Sequence, residues 1–313
     1  MYQTILVPLD GSQRAERVIP YVDYLAKAHQ ARIILVHAVQ PPVFYTSEGR
    51  LDQTQHINEA SDYLNQVAKR LDLTADVQTV VASGDPASVI QWEALTVGVD
   101  LVVMTTHGRT GIGRFVYGSV ADTVIRHVAI PVLLVPAHSP PHGTWPKDRP
   151  LRVLISLDGS EFSRSILSPT CDLAARPGLE IHLARAIPPL VSTYAEGAVL
   201  VAYDQSDELT EVKRDLDRVA RDPRLATYPV VVHPVFGPAA ETIVGTATTV
   251  GADVIAMSTH GSGGMVRLVA GSVATTVIQH AAVPVLVLHA LAHATDLSPV
   301  GAPGDRRINA PRV

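Results

Sequence analysis

A single cysteine, Cys171, stands in 313 residues, so no intramolecular disulfide can form and a reducing compartment, the cytoplasm, is the expectation. Its neighbours "SPTCDLAA" place it on a helix, where it is either a small buried hydrophobe or a reactive thiol. Charge is sparse. Only 18% of the residues are charged, and 25 Lys and Arg are outweighed by 30 Asp and Glu for a net charge of -5, which excludes the basic footprint of a nucleic-acid binder. No apolar run approaches the roughly 18 to 20 residues that span a bilayer. The longest, around Ala281 to Ala292, is interrupted by Pro284 and His289, so no membrane partner is expected. The opening "MYQTILVPLD" enters a strand-like run directly, and no secretory signal is expected. HExxH, GxSxG, Cys/His ligand clusters and GxxxxGK[ST] are all missing, so no catalytic residue, zinc site or P-loop is assigned.

What the chain does have is hydrophobic content, 47%, enough for well-buried sheets, and a length suited to two domains. It also has an internal repeat. "ILVPLDGS" (5–12) returns as "VLISLDGS" (153–160) and "IILVHAV" (33–39) as "IHLARAI" (181–187), both shifted by 148. Farther on, Gly84, Asp100, Gly108, Gly118 and Pro131 match Gly237, Asp253, Gly261, Gly271 and Pro284, all shifted by 153. One net insertion of five residues between 187 and 237 reconciles the two offsets. "GSVADTVIRH" and "GSVATTVIQH" agree at eight of ten positions. The expected organisation is a first domain over 1–137, a Pro-rich linker over 138–150, a second domain over 151–290 and a loosely ordered tail over 291–313.

Within each copy, continuous Ile, Leu and Val runs alternate with helical spacings such as Val18, Ile19, Val22, Leu25 and Ala26. Helices are expected near 52–71, from "GDPAS" and over Gly118 to His127, with strands near 76–81, at "DLVVMT" and at "PVLLV"; Ser12 can cap the first turn. Five strands alternating with four helices predict an α/β fold of two tandem doubly wound domains, each an open parallel sheet with helices on both faces. Pro86 and Pro238 fall near the first turn of the third helix in each copy and carry no chemistry.

The repeated loop after the fourth strand is the candidate site. Ligands of open parallel sheets settle at the carboxyl ends of the strands, where strand order reverses. Gly118-Ser119 and Gly271-Ser272 open the following helix, offering backbone N–H groups, a hydroxyl and close approach to an anion. Either that pair holds a phosphate, or glycine shapes a turn and serine caps a helix. Asp10 and Asp158 are likewise either turn-formers or acceptors for an adenine amino group or a ribose. His107 and His260, each just before a loop glycine, have no partner at catalytic spacing and read as loop-orienting. Arg109 and Arg114 are candidates to meet phosphates in the first copy; the second has Ser262 in place of Arg109 and keeps Arg267. No strong general base repeats, which favours binding over turnover and leaves slow ATP hydrolysis or phosphate transfer to Ser119 without an evident base.

The start "ILVPLDGS", the "GDPA" turn, the "THG" loop, the nine-residue gap and "GSVA" resemble the universal stress protein family in its tandem form, over about 280 residues. The resemblance implies strand order 3-2-1-4-5 and a cytoplasmic stress-response protein. It also implies ATP binding through G-x-x-G, nine residues, G-[ST]; Mg2+ is an optional companion of the nucleotide. Carried over by position, the nucleotide would meet Pro8, Asp10, Ala38, Thr105, Gly108, Gly118, Ser119 and Val120 in the first copy. In the second it would meet Asp158, Ala186, Ser258, Gly261, Gly271, Ser272 and Val273, with Ser156 in place of Pro8. Thr105 and Ser258 stand where the family pattern has its first glycine. The alternative is a tandem stress protein that binds no nucleotide and acts as an interaction module. The apolar last strands "IPVLLV" and "VPVLVL" are expected to cover each other within the chain. Pairing of two whole chains stays open.

Overall fold

The computed structural model describes residues 1–41, 47–71, 76–106, 118–138, 145–174, 178–188, 205–259, 271–289, 304 and 306–309; the side chains of 47–52 and 205 fall outside that description. The first half runs β1 (Thr4–Pro8), α1 (Ile19–His29), β2 (Arg32–Val39), α2 (Ser47–Arg70), β3 (Val77–Ser83), α3 (Pro86–Thr96), β4 (Leu101–Thr105), α4 (Ser119–His127) and β5 (Val132–Val135). The second runs β6 (Leu151–Ser156), α5 (Leu167–Cys171), β7 (Leu179–Ile187), α6 (Gln205–Val219), β8 (Val230–Phe236), α7 (Ala239–Val250), β9 (Val254–Ser258), α8 (Ser272–His280) and β10 (Val285–Leu288). A last strand, β11, is Arg306–Asn309.

Local chemistry explains the boundaries. Asp85 caps α3 by accepting from the Ser88 amide at 3.0 Å, and Pro86 takes the first helical position, where an N–H would have no partner. Gly251 ends α7 in the left-handed region at φ 63°. Ser12 Oγ accepts from the Ala15 amide at 3.1 Å, fixing the chain just ahead of the short 3-10 turn Ala15–Val18 that leads into α1; Arg14 is the N-cap of that turn and makes no side-chain cap bond.

Among the described residues, eleven strands join one sheet in the order β11-β3-β2-β1-β4-β5-β10-β9-β6-β7-β8. Each half is parallel and carries the order 3-2-1-4-5. The halves meet through an antiparallel ladder in which Leu133 pairs with Leu286, Leu134 with Val285 and Val132 with Val287. Leu133 and Leu286 are equivalent positions of the repeat, so a local two-fold axis passes between them and the join is isologous within one chain. Joining the two apolar strands removes two edges that would otherwise template association. Both faces of the sheet are covered. One core takes Val22, Leu25, Leu64 and Val67 from the first half and Leu167 and Leu216 from the second; the other takes Ile90, Val124 and Ile125 with Ile243, Val277 and Ile278. Each core runs through the join, which is why both faces of β5 and β10 are buried.

The described end of the linker is docked. Trp145, 2% exposed, packs edge-on to Tyr21 and Tyr24 of α1 with centroids 5.4 Å away in each case, and its Nε1 donates to the Asp253 carbonyl. In the segment read as a loose tail, residues 306–309 form instead the edge strand β11, antiparallel to β3. Composition concealed it because a four-residue edge strand has no periodicity to display. Among the described residues, no helix is long and apolar enough to cross a membrane.

Candidate functional site

β1 lies between β2 and β4, so strand order reverses beside it and the turns after β1 and β4 sit side by side at the carboxyl edge. After β1, Asp10 Oδ1 accepts from the Ser12 amide at 2.9 Å while Gly11 takes φ 83°. After β6, Asp158 Oδ1 accepts from the Ser160 amide at 2.8 Å and from its hydroxyl at 2.6 Å, with Gly159 at φ 87°. The turn-forming role of both aspartates is therefore realised, and each carboxylate is fixed at the strand end. A Cβ on Gly159 would collide with the Arg185 guanidinium, which itself holds Asp215 of α6 at 3.2 Å.

The loop after β4 is pinched at its base. The Gly118 amide donates to the Thr106 carbonyl at 2.9 Å, and the Thr106 amide to Val135 at 3.0 Å. The second copy repeats both bonds: Gly271 to Thr259 at 3.3 Å and Thr259 to Leu288 at 3.0 Å. A Cβ on Gly271 would sit 3.1 Å from the Thr259 carbonyl oxygen, a tight contact to which the neighbouring backbone would have to yield. The pinch lays the start of α4 against the end of β4, and likewise α8 against β9. Gly118 and Gly271 are the N-caps and have no side chain to bond the first turn, leaving the amides of Ser119 and Val120, and of Ser272 and Val273, at uncapped helix starts. The Gly118 and Gly271 amides are themselves spent on the pinch.

The remaining predicted residues fall around these two starts. Pro8 ends β1 opposite Val36; Ala38 in β2 pairs with Ala82, and Ala186 in β7 with Val235. Thr105 ends β4, 7% exposed; Ser258 ends β9 opposite Leu288 and is half-buried. Ser156 closes β6. Gly108 and Gly261 lie outside the described residues, as do His107, His260, Arg109, Arg114, Ser262 and Arg267. The two sites differ in charge: α4 has Asp122 in its first turn, paired with Arg126 at 2.7 Å, where α8 has no acidic residue. Among the described residues no group of three or more His, Cys, Asp or Glu is placed to hold a metal ion.

Asp100 and Asp253, repeat partners without an assigned role in the sequence, hold the starts of strands. Asp100 Oδ2 accepts from the amides of Gln3 and Thr4 at 2.8 and 2.9 Å. Asp253 Oδ2 accepts from the Arg152 amide at 2.9 Å and binds Arg149 through both oxygens at 2.7 Å. The burial of Cys171 and the nearby Asp172 push its thiol up to about 11, which favours the inert reading over the reactive one.

The model of the universal stress protein family matches residues 1–136 and again 151–289. The chain belongs to the universal stress protein family. A universal stress protein of Mycobacterium tuberculosis is 25% identical over 292 residues, covering 90% of this chain and 96% of that one. A single-domain universal stress protein of Thermus aquaticus is 32% identical over 136 residues, 43% of this chain and 99% of its own length. Among solved structures, a universal stress protein from Archaeoglobus fulgidus shares the fold at a TM-score of 0.67 and 18% identity, covering 91% of this chain and 98% of that one.

Proposed function

We propose that this universal stress protein is a cytoplasmic stress-response regulator that binds ATP, accompanied by Mg2+, in one or both crevices, with 1–137 and 151–290 as the two binding units and 138–150 joining them. The observation that supports this reading most is the pinned, uncapped start of α4 beside the Asp10 turn, repeated at α8 beside Asp158. A helix start with unspent amides favours an anion, and a small residue such as Ala38 or Ala186 leaves room for a flat ring at the neighbouring strand. In this reading the amides of Ser119 and Val120 and the Ser119 hydroxyl donate to phosphate oxygens, and Asp10 accepts from the adenosine end. Ser272, Val273 and Asp158 do the same in the second crevice. The chain's residues bind and orient the nucleotide; occupancy, rather than turnover, is the output.

Thr105 and Ser258 favour a second reading, an interaction module without nucleotide, because each puts a side chain where the family pattern has glycine. Native mass spectrometry of freshly purified full-length protein, followed by thermal melts with ATP and Mg2+, decides. A carried adenine nucleotide and a melting temperature that climbs with ATP are expected, since a ligand selective for the folded state must stabilise it. No carried nucleotide and no shift at millimolar ATP would establish the second reading.

A further inference from the structure

The two outer ends of the sheet are finished differently. At the first half, β11 pairs with β3, Arg306 opposite Ala82, Arg307 opposite Val81, Ile308 opposite Val80 and Asn309 opposite Thr79. Arg306 Nε and Nη2 each stand 2.8 Å from a carboxylate oxygen of Glu93, whose side chain is wholly buried in α3. Arg307 donates to Asn58 at 2.8 Å, Asn309 to Ser61 at 3.0 Å, and the Gly304 amide to the Ser83 carbonyl at 2.9 Å. All of these partners belong to α2, β3 and α3 of the first half.

The acceptor surface is particular to that half. By the repeat offset, Glu93 corresponds to Thr246 and Val81 to Pro234. The bonds from Ile181 to Pro229 and from Gly237 to Ile187 fix the alternation of β8 and turn the Val230, Val232 and Phe236 amides away from β7. Pro234 falls in that outward set and has no N–H to give a further strand. The second half is thus ill suited to take a strand, and the first half carries both an open ladder position and a buried carboxylate whose ion-pair partner among the described residues is Arg306.

The occupant is held without burial. All four residues of β11 are exposed, Ile308 at 46%. An element held by backbone pairing, one ion pair and two exposed side-chain hydrogen bonds, with no buried apolar side chain of its own, detaches without unfolding the body. We propose that the β3 edge with the Glu93 carboxylate is a recognition site for an extended arginine-bearing strand, filled in cis by the C-terminal segment and, when that segment lifts away, by the same segment of a second copy. Main-chain pairing supplies affinity and the side-chain pocket supplies selectivity, the pattern of strand addition to a sheet edge. The planar guanidinium meets both oxygens of Glu93 at once; a strand without it leaves a buried charge unpaired, which is what rejects other sequences. Tethering keeps the cis strand ahead at low protein concentration, and exchange gains as concentration rises.

The test uses a labelled synthetic peptide of residues 303–313, PGDRRINAPRV, titrated into full-length Arg306→Ala, which weakens the resident strand and leaves Glu93 intact. Saturable binding at least tenfold tighter than to the unmodified chain is expected. Adding Glu93→Gln, or replacing the peptide's first arginine by alanine, is expected to weaken it at least tenfold. Sedimentation of the unmodified chain should show a concentration-dependent dimer that Arg306→Ala abolishes. In the unmodified chain, amides of 306–309 should exchange at least tenfold faster than those of Ile33–Val36 in β2, a readout that needs no variant. A folded Arg306→Ala chain that ignores the peptide, binding indifferent to Glu93→Gln, a strictly monomeric chain, or equal protection of β11 and β2 would each overturn the proposal. None of these readouts involves nucleotide, so the outcome is separate from the reading of the crevices.

Discussion

His182 Nδ1 lies 2.9 Å from His233 Nε2, with the two rings stacked at 5.1 Å and 27° and the other nitrogen of His182 held 3.1 Å from Glu180 Oε1. Arg152 completes the row at 3.2 Å from Glu180. The first half has Ile34 and Val80 at the matching positions, both buried in the core. A polar relay thus replaces an apolar pair on one face of the second half's sheet. The facing nitrogens share one proton, so a second protonation sets donor against donor and breaks the bond.

A pH dependence follows with a definite sign. Desolvation first, and His182 second, lower the His233 pKa below its ordinary 6.5. The unfolded chain then binds more protons than the folded one between the depressed value and 6.5, so stability is full above that window and falls as pH drops through it. Replacing the pair by its first-half counterparts, His182→Ile with His233→Val, should flatten this fall. Urea midpoints at pH 7.5 and 5.5 give the comparison. His29, also lowered by burial, contributes with the same sign in both proteins and cancels in the difference.

Asp100→Ala and Asp253→Ala should each cost about 1–3 kcal/mol, because each leaves strand-start amides without an acceptor. The second should cost more, since Arg149 loses its bidentate partner as well. Chemical denaturation measures both, and equal losses would show that the Arg149 pair adds nothing.

At the join, Leu133→Ala and Leu286→Ala should each destabilise by about 2–5 kcal/mol as cavities form in a fully buried layer. The two side chains share one core, so the double variant should depart from additivity by about 0.5 kcal/mol or more. A double-mutant cycle reads this directly; strict additivity would mean that the halves are held elsewhere.

Cys171 should alkylate slowly with iodoacetamide at pH 8 in the native protein. Its thiol, raised to about 11, supplies little thiolate there. The rate should rise on denaturation, and fast native labelling would contradict the raised thiol of this half-buried residue.

Gly118→Val is expected to reduce nucleotide retention at the first crevice at least tenfold, and Gly271→Val at the second, as counted by bound nucleotide per chain. Gly271→Val should also lower the melting temperature, since its first added carbon meets the Thr259 carbonyl at 3.1 Å. Unchanged retention in the double variant would remove the helix starts from the binding account.

The repeat made most of this legible. Once "ILVPLDGS" and "VLISLDGS" are aligned, strand runs, helix starts and the paired turns follow for both halves, because buried parallel strands and Gly-Ser helix starts are written locally. Relations between distant residues were harder. The contact of His182 with His233 depends on the register of β7 and β8, although aligning the copies exposes histidines where Ile34 and Val80 stand. Glu93 reads as an ordinary helix residue, and "RRIN" as tail, until the β3 edge brings them together across 213 positions. The bond from Gly118 to Thr106 was also hidden, since nothing in the sequence between them signals that these two ends meet.

Because β5 and β10 run in opposite directions, the carboxyl ends of the two halves' strands emerge from opposite margins of a shared sheet. Whatever grips one crevice approaches from the far side of whatever grips the other. The two candidate sites therefore open at opposite margins of the sheet, and a body docked along one margin meets only one of them.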